Sequence, residues 1–228
     1  MIERALGYPY EMSATSYILE NGRINAWSDI DLSNRTPVLA CGSNQSPEQL
    51  MRKFSEGLIP VMAGWLEGYD SVYSAHFTSY GSVAATYHYD ANVKSRQMIT
   101  WLDDDQLEMM HKTEALGVNY EFVAFEGIEF QSDCAQSIGA AYSYQSLRGP
   151  LMIEGQPIGL QAIQAVGASY RRYDQKDLQA LIQYLLGHAG TLADFITETI
   201  NHAEERHRRT KYLSTNHIWT YPCDPIKG

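Results

Sequence analysis

The stretch Val38-Leu39-Ala40-Cys41-Gly42-Ser43-Asn44-Gln45-Ser46-Pro47 constrains the chain more than any other. Its first residues form a short apolar run, which predicts a buried strand. A small polar loop containing Gly42 follows, and Ser46-Pro47-Glu48-Gln49 has the makings of a helix start. Ser46 can cap, Pro47 suits the first helical position, and Gln49 stands where a capping box places its partner. Bare backbone N–H groups beside a helix start favour an anion. Gly42 lets a ligand approach the backbone, and Ser43 and Asn44 add side-chain hydrogen bonds. A plain strand-to-helix turn is the competing reading.

Around this segment the chain divides into three. Residues 1–35 are polar and are expected to wrap the domain as an N-terminal extension. Residues 36–165 alternate strand and helix signals. A helix over 47–56 carries Leu50, Met51 and Phe54. Val61–Leu66, Ser71–Phe77 and Val83–Tyr89 are rich in β-branched and aromatic residues, with Gly64, Gly68 and Gly81 between them. Asp103 caps a second helix over 104–115 with Gln106 as its capping-box partner, and Tyr120–Phe125 and Ser137–Tyr144 read as further strands. Residues 166–228 read as a helical C-terminal extension. There Leu178, Leu181, Ile182 and Leu185, then Leu192, Phe195, Ile196 and Ile200, recur at helical spacing. Gly187 and Gly190 leave open two helices or one broken helix.

Charge narrows the function classes. Seventeen Lys and Arg stand against 27 Asp and Glu, a formal net charge of −10, which disfavours nucleic acid and anionic membranes. The basic run Arg206, Arg208, Arg209 and Lys211 is expected on a solvated helix end, where cations complement the dipole; an anionic partner is the alternative. Three separate cysteines give no disulfide framework, and no leader or membrane span is evident, so a cytoplasmic protein is expected. His76, His88, His111, His188, His202, His207 and His217 show no metal spacing, and no GxSxG, GxGxxG or GxxxxGK[ST] occurs. Neither a metal nor an organic cofactor is expected.

Glu114 is the second candidate. It closes the second helix, where a carboxylate faces the unfavourable pole of the dipole, although an exposed glutamate is the ordinary expectation. Cys41 beside a helix start is a possible thiol nucleophile, weighed against a small buried hydrophobe.

Together these segments resemble the gamma-glutamylcyclotransferase-like family. That family has a Tyr-Gly-Ser-Asn loop after its first strand, here Cys41-Gly42-Ser43-Asn44. Its glutamate motif stands here as Met109-Met110-His111-Lys112-Thr113-Glu114, with Tyr120 following. Gly64–Tyr69 resembles its second strand and Gly155–Leu160 a later segment. Two positions depart from the pattern: Cys41 replaces the Tyr, and Gln45 replaces a hydrophobic residue.

The resemblance implies an α+β fold: a closed or nearly closed mixed β barrel with flanking helices, its site at the open end. It implies release of 5-oxoproline from a γ-glutamyl amine or peptide by intramolecular aminolysis, without a cofactor. Glu114 would be the catalytic acid/base. Cys41, Gly42, Ser43, Asn44, Gln45 and Tyr120 would bind a small-molecule γ-glutamyl substrate. The alternatives are a non-catalytic metabolite- or partner-binding member of the fold, or a Cys41-dependent hydrolase or transferase. The C-terminal helices leave a homo-oligomer open.

Overall fold

The computed structural model describes residues 1–215. His217 and Cys223 therefore lie outside the described residues, as does the end of the C-terminal extension.

The elements run α1 (Ile2–Leu6), β1 (Tyr17–Glu20), β2 (Arg23–Ala26), β3 (Thr36–Ala40), a 3-10 turn (Ser43–Gln45), α2 (Pro47–Lys53), β4 (Leu58–Phe77), β5 (Val83–Leu102), α3 (Asp104–Thr113), β6 (Tyr120–Ser132) and β7 (Ser137–Ser146). Short strand pieces between 152 and 173 lead to α4 (Gln175–Leu185), α5 (Leu192–Asn201) and α6 (Ala203–Thr215).

Five strands close a barrel. β4 pairs β5, β5 pairs β3, β3 pairs β7, β7 pairs β6, and β6 returns to β4. All these pairings are antiparallel except β3–β7, which is parallel, so the barrel is mixed. Closure removes exposed strand edges. β4 and β5 are 20 residues each. They replace the three shorter strands expected from the glycine punctuation. Gly68, at φ +76°, marks a register shift between Glu67 and Tyr69 rather than a turn, because a bulge needs the same permissive backbone as a turn.

The flanking helices begin largely as their caps foretell. Asp103 accepts from the Gln106 N–H, and Gln106 returns a bond to the Asp103 N–H. Asp174 accepts from the Asp177 N–H. At Ser46 the capping box does not form: the Ser46 hydroxyl makes no cap bond, and the Gln49 side-chain oxygen has no partner among the described residues. The C-terminal region folds as three helices, since a break at His202 separates α5 from α6.

The N-terminal residues contribute strands to the sheet and side chains to the core. β1 pairs β4 and carries β2 on its outer edge. Ala5 and Tyr8 enter the hydrophobic cluster made by Tyr73, Phe77 and Val83 with Leu178, Ile182, Phe195 and Leu213. α1, the ends of β4 and β5, and the C-terminal helices thus share one core.

That packing corrects the reading of the basic run. Arg209 is 1% exposed. It donates to Glu205 and Glu198 and to the Phe195 carbonyl, at 2.8, 2.6 and 2.6 Å. Arg206 donates to the carbonyls of Thr199 and Ile200. Two of the four cations hold α6 against α5, an arrangement that periodicity alone does not distinguish from a solvated face.

Candidate active site

β3 ends at Ala40, and the chain turns through Cys41 and Gly42 at one end of the barrel. The strand starts of β5 and β6, the late residues of β4 and β7, and the C-terminus of α3 reach the same end. They enclose a cavity of about 460 Å³. Cys41, Gly42, Ser43, Asn44, Glu114 and Tyr120 all line it. Residues some 70 positions apart in sequence meet here because β3 and β7 are neighbours and α3 folds back over the gap.

Glu114 is the C-cap of α3, and its side chain is 14% exposed. The Asn44 side-chain amide donates to Glu114 Oε1 at 3.0 Å. Lys53, from the last turn of α2, forms an ion pair with the same oxygen and also lies 3.3 Å from the Met110 sulfur. Both protein contacts fall on Oε1. Among the described residues no group bonds Oε2, which leaves that oxygen as a proton acceptor.

A carboxylate only accepts, so its bond from Asn44 fixes the amide orientation. The Asn44 carbonyl oxygen is buried and without a partner among the described residues, as are the Gln49 side-chain oxygen and the His76 Nδ1. All three residues line the cavity. Buried polar atoms are normally satisfied, so these unpartnered atoms are an unsettled part of the cavity wall. Burial lowers the His76 pKa to about 4, with Arg148 and Arg206 adding to the effect, so the ring is neutral at pH 7.

Gln45 lies outside the lining of this cavity. It is buried with its amide turned inward, donating to the Gln97 side-chain oxygen at 3.0 Å. Ser71 and Tyr87 donate to that same oxygen. The 3-10 turn sends successive side chains in different directions, so Asn44 faces the cavity and Gln45 the barrel interior.

Tyr120 is committed as well as present: its hydroxyl donates to the Ala85 carbonyl at 3.2 Å. Cys41 lines the cavity beneath these groups. Burial, with the Glu114 charge adding to it, pushes its thiol up to about 12. A thiolate nucleophile requires the opposite shift.

Four further residues that line the cavity carry no site signal in the sequence. Lys53 and Gln49 sit on α2, His76 on β4 and Tyr8 on the N-terminal segment. Lys53 is one of 17 basic residues and falls at an ordinary place for a helix cation. Tyr8 lies outside the segments that carried the resemblance. Neither had a local signal.

No protein-family model matches the chain, and no curated protein is similar to it. Among solved structures it is similar to a gamma-glutamyl cyclotransferase, with 12% identity, a TM-score of 0.40, and coverage of 49% of this chain and 66% of that one. It is also similar to two Arabidopsis thaliana proteins with solution structures. One has 13% identity and TM-score 0.42, covering 68% of this chain and 88% of that one. The other has 15% identity and TM-score 0.38, covering 85% and 94%. The chain spans slightly less than two thirds of the length of the cyclotransferase it matches.

Proposed function

We propose that the cavity cyclises a γ-glutamyl compound to 5-oxoproline. The observation that carries this is the free Oε2 of Glu114, a carboxylate of the cavity wall held through its other oxygen by Lys53 and Asn44. An α-ammonium group must lose one proton before it can attack. Glu114 takes that proton on Oε2 as general base. The amine lone pair then forms the C–N bond to the γ-carbonyl carbon, and the carbonyl electrons move to oxygen. Collapse breaks the bond to the leaving nitrogen, which receives the proton back from Glu114; Glu114 then takes the second proton from the ring nitrogen and passes it to the released amine, which departs as an ammonium ion. Substrate and products balance without water or an external reactant.

Lys53 and Asn44 hold the carboxylate in place, which supplies the positioning that a unimolecular ring closure needs. For a substrate carboxylate, Arg4 lines the cavity with its guanidinium 4.5 Å above the Tyr80 ring. It has no carboxylate partner among the described residues.

The Lys53–Glu114 pair also supports a second reading, a binding protein of the same fold, because a lysine-paired carboxylate is an ordinary structural ion pair. Measuring 5-oxoproline release from γ-glutamyl dipeptides, γ-glutamyl amines and glutathione separates the two. Release by the native protein and its loss in Glu114→Gln is the expected result. Folded protein that is silent across the panel, or a Gln variant as active as the native protein, refutes the cyclotransferase reading.

A further inference from the structure

The N-terminal segment brings a phenol into this cavity. Tyr8 is buried, packs in the core shared by α1 and the C-terminal helices, and lines the cavity with its hydroxyl against Gly42. A Cβ at position 42 would collide with that hydroxyl. The loop glycine is therefore matched to Tyr8 as well as to any ligand.

Tyrosines 8, 80, 120 and 144 line the cavity, and their protons are committed differently. Tyr120 donates to the Ala85 carbonyl. The Tyr144 hydroxyl shares a 2.8 Å hydrogen bond with His111 Nδ1. Tyr80 lies under the Arg4 guanidinium towards the rim. The Tyr8 hydroxyl sits against Gly42 in the cavity wall, and no described residue accepts its proton. Burial, with Tyr120, Tyr80 and Cys41 around it, keeps the phenol protonated well above the usual range.

We propose that Tyr8 is a catalytic hydrogen-bond donor, its O–H meeting the γ-carbonyl oxygen as negative charge develops there during ring closure. The proposal rests on the cyclotransferase reading of the cavity. It makes the N-terminal segment a working part of the site. The amine attacks carbon, the carbonyl electron pair moves to oxygen, and the Tyr8 proton stabilises that oxygen without being transferred. A preorganised donor aimed at developing charge acts mainly on the transition state.

The test is 5-oxoproline release by native protein and Tyr8→Phe, with thermal unfolding measured on both. Phe keeps the ring in its core site and removes only the hydroxyl. A kcat reduced about 100-fold, with KM changed by less than about threefold, is expected. A kcat within about threefold of native, or a loss confined to KM, overturns the proposal and leaves the cyclotransferase reading intact. Silence of the native protein overturns both.

Should Tyr8→Phe fail to fold, trifluorotyrosine at position 8 keeps ring and hydroxyl and lowers the phenol pKa. The alkaline limb of the kcat–pH profile should then move to lower pH. An unmoved limb overturns the donor role.

Discussion

Replacing Lys53 by Met tests whether the charge arrangement in the cavity has been understood. The side chains of Lys53 and Glu114 are 8% and 14% exposed. Removing one partner of a buried pair costs about 3–5 kcal/mol, because the remaining charge loses its counterion. Here Asn44 still donates to Glu114 Oε1 at 3.0 Å, and the cavity admits solvent to the carboxylate, so about 2 kcal/mol is expected. For a chain of this size that corresponds to a fall of roughly 4–8 °C in melting temperature. Met conserves the length and apolar stem of Lys, so packing contributes little. In Lys53→Met/Glu114→Gln no charge is left uncompensated, and most of the loss should return. Thermal unfolding of the native protein, both single variants and the double variant gives the coupling energy. A Lys53→Met protein that melts with the native one refutes the reasoning, as does a double variant whose loss equals the sum of the singles. Either result would make the contact a solvent-screened surface pair.

The other predictions concern the walls of the same cavity. Gly42→Ala forces the Tyr8 hydroxyl from its place and should cost about 1–3 kcal/mol. Adding Tyr8→Phe should recover part of that cost, and denaturant unfolding of the single and double variants measures it. His76 has a folded pKa of about 4 against 6.5 for the free group, so between those values the unfolded chain binds a proton that the folded chain does not. Stability should therefore fall as pH drops from about 6.5 to 4, by up to about 3 kcal/mol from this group. A His76→Phe variant should lack that component of the unfolding free energy against pH; equal pH slopes would contradict the burial argument.

Much of the local structure was legible because its causes are local. The Asp103 and Asp174 caps work through atoms three residues away, so they can be read from one short segment. Ser46 looked like an equally good cap, but its hydroxyl is buried and unpartnered. The turn just before it packs against β5, which lies far along the sequence. Glycine punctuation suggested several short strands where two 20-residue strands run, since Gly68 serves a bulge as readily as a turn.

The strand–glycine loop–helix passage at 38–53, the cap that starts α3, the helical character of the C-terminal region and the net charge of −10 are all legible in the chain alone. These follow from chain periodicity and from contacts within a turn or two. The family resemblance grouped Asn44, Tyr120 and Glu114, whereas the contacts between them and the remaining walls of the cavity come from the packed fold. Barrel closure sets Asn44 against Glu114, α2 delivers Lys53 to the same oxygen, and the docking of α1 carries Tyr8 to Gly42. The packed fold also turned Gln45 inward to Gln97 and buried Arg209 between acids. Such pairings depend on where distant strands and helices are held by the packed core, and sequence spacing carries no record of that arrangement.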